Sequence, residues 1–139
     1  MPKVKDVVSY FTQLVPPEMK TEDDNVGLLV GLNGAEVKRA LIALDITEEV
    51  VDEAIRLNAQ MIFSHHPIFF DLKKISDDSL VGRKIVKMLA NGISGFCQHT
   101  NLDCVSGGVN DTLADKLGVI VEGYLEGPHY THNGKEYGM

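Results

Sequence analysis

Clustered positive charge is scarce in this sequence. Thirteen lysines and arginines stand against 20 acidic residues, and the net charge is −7 over 139 residues. No basic run exceeds two residues: Lys38-Arg39, Lys73-Lys74 and Arg83-Lys84 are the longest. Affinity for nucleic acid rests on grouped cations that displace counterions, so no nucleic-acid partner is expected. Long apolar runs are also missing. The longest are about five residues, where a bilayer span needs about 20. No apolar stretch follows a basic N-terminal segment, so no signal peptide is read and no membrane partner is expected. Cysteine is nearly absent. Cys97 and Cys104 are too few for a secreted disulfide framework, and both read as small, buried, free thiols in a reducing cytoplasm. Finally, no Gly-x-Gly-x-x-Gly follows any strand candidate, which excludes a Rossmann-type nucleotide binder.

What is present suits one globular domain. Apolar residues make up 44% and charged residues 24%, and a chain of this size buries about two thirds of its unfolded surface. Val4, Val7, Val8, Phe11, Leu14 and Val15 recur at helical spacing until Pro16-Pro17 ends the helix. Leu28-Leu29-Val30, between two glycines, reads as a short strand. Ala40 to Leu44 is unbroken apolar sequence, the pattern of a strand covered on both faces. Thr47 caps the next helix, with Glu48 and Glu49 at its positive end. Met61-Ile62-Phe63 follows as a strand. The pattern then recurs: a helix capped by Asp78 or Ser79 and closed at Asn91-Gly92, a strand from Ile93 to Gln98, and a helix from Gly107-Gly108 to Gly118. Val119-Ile120-Val121 is read as a last strand.

Strands alternating with helices predict an α/β fold, a mostly parallel or mixed sheet with helices on both faces. The predicted domain covers residues 1–121. Residues 122–139, rich in glycine and poor in apolar side chains, are expected to be a loop or linker leading to a further element.

Chemistry concentrates at two strand ends. Ser64-His65-His66-Pro67 closes one apolar strand, and His99-Thr100-Asn101-Leu102-Asp103 closes its neighbour. Ligands of parallel α/β sheets gather beyond the carboxyl ends of strands. Tandem histidines on an extended strand would diverge. At a strand end turning into Pro67 they either converge or serve different ions. The mixed imidazole and carboxylate set suits a catalytic metal better than a structural one, and Asp103 is the natural bridge between two ions. Asp45, at the same sheet edge, is placed to orient a ligand histidine. Asp24-Asn25-Val26-Gly27 reads as a turn, with a part in lining the site as the alternative. Gly107-Gly108 before a helix is a weak phosphate-binding signal beside the plainer reading of a tight turn. His129 and His132 read as loop residues more readily than as ligands.

Five stretches in this order, from about residue 3 to residue 121, resemble the NIF-three-like family, with its YbgI-type bacterial members and its GTP cyclohydrolase I type 2-like description. They are Asp24-Asn25-Val26-Gly27-Leu28, Ala43-Leu44-Asp45-Ile46-Thr47, Ser64-His65-His66-Pro67-Ile68, His99 to Asp103, and Gly107-Gly108-Val109-Asn110-Asp111. The resemblance implies a dinuclear metal centre inside a ring-shaped homohexamer. It implies metal binding by His65, His66 and Asp103, with His99 close by, supporting the ligands or carrying a proton. The cofactors implied are two divalent ions, of Zn, Fe, Mn or Ni. The family's other two ligands, a His and a Glu, lie in a motif near its C-terminus that this sequence does not contain. With three ligands of five, weaker binding and as few as one ion are expected. Asp23 also stands where the family commonly has an aromatic residue. The activity implied is metal-dependent hydrolysis of a nucleotide or related small molecule, with GTP ring opening as the family reaction. The alternative is a non-catalytic metal-binding or protein-interaction protein.

Overall fold

Short apolar runs and amphipathic stretches alternate along the chain, and strands and helices follow them. The computed structural model describes residues 1–125, 130–132 and 134–138. Helix α1 (Val4–Leu14) leads through a 3-10 turn (Pro17–Met19) to strand β1 (Gly27–Val30). Then come β2 (Ala40–Ala43), α2 (Glu48–Arg56), β3 (Met61–Ser64), α3 (Leu80–Ala90) and β4 (Ser94–Cys97). A short α4 (Thr100–Cys104), then α5 (Val109–Leu117), precede a hairpin of β5 (Tyr130–His132) and β6 (Lys135–Tyr137). The caps lie where the side-chain chemistry puts them. Thr47 Oγ1 accepts from the Val50 N–H at 3.2 Å, and Ser79, rather than Asp78, accepts from the Gly82 N–H at 3.0 Å. Gly118 ends α5 at φ +68°, a left-handed conformation that glycine adopts without a Cβ penalty.

The main sheet has the order β1-β4-β3-β2. β2, β3 and β4 are parallel, and β1 runs antiparallel to β4 with a register shift between Leu28 and Val30. Ala43 pairs with Ser64, Ser64 with Cys97, and Cys97 with Gly27. The carboxyl ends of three strands and the start of the fourth therefore share one edge.

Helices cover both faces. On one, Val51 and Ala54 of α2 and Ile85 and Met88 of α3 pack with Ile62, Val30 and Ile93. On the other, Val4, Val7, Val8 and Phe11 of α1 pack with Met61, Phe63 and Phe96. Phe63 meets Phe11 and Phe96 at centroid distances of 4.8 and 5.2 Å, tilted toward edge-to-face, the favoured arrangement of aromatic quadrupoles.

The structure departs from the sequence reading in four places. β2 is an edge strand, and α1 does not reach it. Leu41 packs beneath α2, whereas Ile42 is 83% exposed and Leu44 is also exposed, so one face stays open. A hollow of about 670 Å³ lies there, lined by Phe11, Phe63, Ile42 and Leu44 among others, and it reaches His65. Val119-Ile120-Val121 forms no strand, and Ile120 is 90% exposed. β-Branched residues favour strands only where a neighbour satisfies the backbone, and neither sheet edge pairs with this segment. The tail read as loop carries the β5-β6 hairpin, with Gly134 at φ +75° in its turn. Residues 100–104, read only as a motif, form α4.

Burial separates two substitutions sharply. Phe96→Ala, at 1% exposure, is expected to cost about 3–5 kcal/mol. Ile42→Thr on the open face is expected to cost under about 0.5 kcal/mol. Urea unfolding of the two variants checks both, and equal losses would contradict the layering described.

Candidate metal centre

The shared edge sets four chain segments side by side. His65 and His66 leave β3, Gln98 and His99 leave β4, Asp45 follows β2, and Asp24 precedes β1. The rings of His65, His66 and His99 form a triangle with centroid separations of 5.2, 5.1 and 5.6 Å. One ring nitrogen from each lies within 4.8 Å of the other two.

Each imidazole is held through its other nitrogen. His66 Nδ1 meets Asp45 Oδ1 at 2.7 Å, His99 Nδ1 meets Asp24 Oδ1 at 2.9 Å, and His65 Nδ1 meets the Gln98 carbonyl at 3.1 Å. Carboxylates and carbonyls accept, so the network assigns the proton to Nδ1 in all three rings and leaves the Nε2 lone pair for a cation. Asp103, on α4, brings Oδ1 to 3.7 Å from His65 Nε2. The donor set is three imidazoles with a carboxylate beside them, which fits a borderline divalent metal.

Asp24 is the most enclosed carboxylate here, its side chain 2% exposed. Besides His99 it accepts from the Asn25 N–H at 2.7 Å, the Thr100 N–H at 3.1 Å and the Thr100 hydroxyl. Burial pushes its pKa upward. The hydrogen bonds from Thr100, His99 and Asn25 together outweigh that and hold it below the usual carboxylate range. Asn101 anchors the start of α4, accepting from the His99 N–H at 3.0 Å and donating to the Val15 carbonyl at 3.4 Å. Cys97 donates its thiol hydrogen to the His65 carbonyl at 3.0 Å. Burial, and then the Asp24 charge, push that thiol up to about 12, so it is protonated at neutral pH.

Every residue singled out at the two strand ends is thus at one edge. His65, His66 and His99 form the tight group, and Asp103 stands beside His65. The orienting carboxylate anticipated at Asp45 bonds His66. The role of Asp24 was visible in sequence only as a possible lining position, and its bond to His99 spans 75 residues. Gly107-Gly108 offers no anion cradle: the Gly107 N–H donates to Asp111 and the Gly108 N–H to the Val105 carbonyl. His129 lies outside the described residues, and only the backbone of His132, in β5, is described.

A family model described as Duf34/NIF3 (NGG1p interacting factor 3) matches residues 2–129. The chain belongs to the DUF34/NIF3 family. A Clostridium acetobutylicum protein named GTP cyclohydrolase 1 type 2 homolog is 45% identical over 117 residues, which are 84% of this chain and 44% of that protein. A Bacillus subtilis protein of the same name is 40% identical over 128 residues, 91% of this chain and 34% of its own. The crystal structure of a Bacillus cereus protein related to NIF3 superposes with a TM-score of 0.83 at 42% identity, covering 91% of this chain and 36% of that one. The chain therefore spans less than half the length of these NIF3 relatives and corresponds to their N-terminal half. Among the described residues no helix is long and apolar enough to cross a membrane.

The Asp45–His66 bond has a measurable consequence. Asp45→Ala is expected to lower zinc affinity by about 10- to 100-fold, because the ring loses both its tautomer and its orientation. Competition against a chromophoric chelator measures it. Unchanged affinity would show that Asp45 does not support the centre.

Proposed function

We propose that this chain carries three of the metal ligands of a dinuclear metal-dependent hydrolase acting on a nucleotide or related small molecule. The observation that carries the reading is the convergence of His65, His66 and His99, each braced through Nδ1, with Asp103 3.7 Å from His65. The name shared by the relatives, GTP cyclohydrolase 1 type 2 homolog, supports the nucleotide class.

In this reading His65, His66 and Asp103 hold the ions, and zinc, iron, manganese and nickel all accept such donors. A bound divalent ion supplies Lewis acidity and brings the pKa of a coordinated water toward neutrality. His99 has a separate task. Its Nδ1 is fixed on Asp24, and in this reading its Nε2, which need not be given to the ions, faces the site as a proton carrier. Asp24 is itself held by bonds accepted from Asn25 and Thr100, and its single bond to Nδ1 keeps that ring in place.

Asp103→Ala tests the enzymatic reading. The expected result is a loss of at least about 100-fold in nucleotide turnover, with an unchanged far-UV circular dichroism spectrum. Stoichiometric metal without turnover on any nucleotide, in both this chain and a protein of the relatives' full length, would instead identify a metal-binding or interaction protein. The family resemblance also supports a ring-shaped hexamer. Light scattering on a protein of the relatives' full length is expected to return six times the mass of its own chain. A monomeric mass would remove the ring from the proposal.

A further inference from the structure

Two prolines follow helix α1, and neither Pro16 nor Pro17 brings an N–H to its last carbonyls. Two amide side chains from the segment after β4 supply donors there instead. Gln98 Nε2 donates to the Phe11 carbonyl at 3.2 Å, and Asn101 Nδ2 donates to the Val15 carbonyl at 3.4 Å. Both side chains are buried, Asn101 at 2% exposure. Enclosing an amide costs free energy unless its bonds are made. Here they are made to one helix end, across 87 and 86 residues.

These two amides bracket residues of the candidate centre. Gln98 precedes His99, and its own backbone carbonyl is the acceptor that fixes His65 Nδ1 at 3.1 Å. Asn101 also accepts from the His99 N–H at 3.0 Å through Oδ1. The His99 carbonyl accepts in turn from the N–H groups of Leu102 and Asp103, at 2.9 and 3.2 Å, in the first turn of α4. One short segment therefore reaches α1 with residues 98 and 101, and the centre with residues 99 and 103. His66 stands outside this arrangement. Its backbone N–H donates to the Leu44 carbonyl at 3.0 Å, and its ring is braced by Asp45, so both its ties run to the β2 side.

The two ties differ in what their loss leaves behind. The Phe11 carbonyl also accepts from the Val15 N–H at 2.9 Å. Removing the Gln98 amide therefore strands no acceptor on α1 and takes away only the link to the segment. Asn101 joins three points, since one side chain holds both the His99 N–H and the Val15 carbonyl. Its loss frees the start of α4 as well as the link. In both cases the rings at risk are those whose placement depends on residues 98 to 101. These are His65, through the Gln98 carbonyl, and His99 itself.

We propose that Gln98 and Asn101 are positioning residues that register His65, His99 and Asp103 against the end of α1. Their effect on metal affinity rests on the preceding reading that these residues hold or serve divalent ions. Their effect on the rings does not, so the two readings fail separately. The test uses Gln98→Met and Asn101→Leu, which keep side-chain bulk and remove the amides. Long-range proton–nitrogen spectra of the metal-free chain, at mildly alkaline pH where imidazole is neutral, report each ring's tautomer. Competition against a chromophoric chelator reports zinc affinity. In the unaltered chain all three rings are expected to be protonated at Nδ1. In either variant His65 and His99 are expected to become mixtures of tautomers while His66 keeps its signal. Zinc affinity is expected to fall about tenfold. If Asn101→Leu does not fold, Gln98→Met decides alone. Unchanged His65 and His99 signals, or zinc affinity equal to that of the unaltered chain, would overturn the assignment. So would an equal change in all three rings, which marks general loosening. The expected ring changes in a chain that binds no zinc would leave the positioning pair standing and remove the metal centre.

Discussion

Strand direction is the constraint on which the rest of this molecule depends. Three parallel strands finish at one edge of the sheet, and the one antiparallel strand starts there. Reversing any of them would carry its polar residues to the opposite edge. Parallel strands need helical crossovers, and α2 and α3 supply them while burying one face. The same geometry thus forms the apolar interior and gathers three imidazoles and their carboxylates at one end.

Proximity alone would not make these histidines useful. An unbraced imidazole samples two tautomers and several rotamers, and a cation must then impose the order. Here the order is built in, because Asp45, Asp24 and the Gln98 carbonyl each hold one Nδ1. The three acceptors come from three different places in the fold. Asp24 is the most constrained, because its loop is itself gathered around the Lys20 ammonium.

Much of this was legible from residue order, and the reasons are local. Periodicity, proline and capping chemistry located α1, α2, α3 and α5, because those signals act within a few residues of the helix they define. The apolar runs located β1 to β4, and two strand ends located His65, His66, His99 and Asp103. What escaped depended on partners. An apolar run such as Ala40 to Leu44 reads alike in a central and an edge strand, and only the reach of α1 decides between them. Val119 to Val121 has strand composition but no strand to pair with. The Asp24–His99 bond joins residues with no sequence relation, so turn chemistry was the only trace it left.

The residues bracing and forming the centre are scattered along the chain, at positions 24, 45, 65, 66, 99 and 103. No hairpin or single crossover unit contains them all, so the centre exists only when the whole sheet is assembled. A cation that binds it and ignores the unfolded chain must favour folding by RT ln(1 + [L]/Kd), about 2.7 kcal/mol at a hundredfold excess over Kd. A cation held there would tie the stability of the fold to the supply of metal.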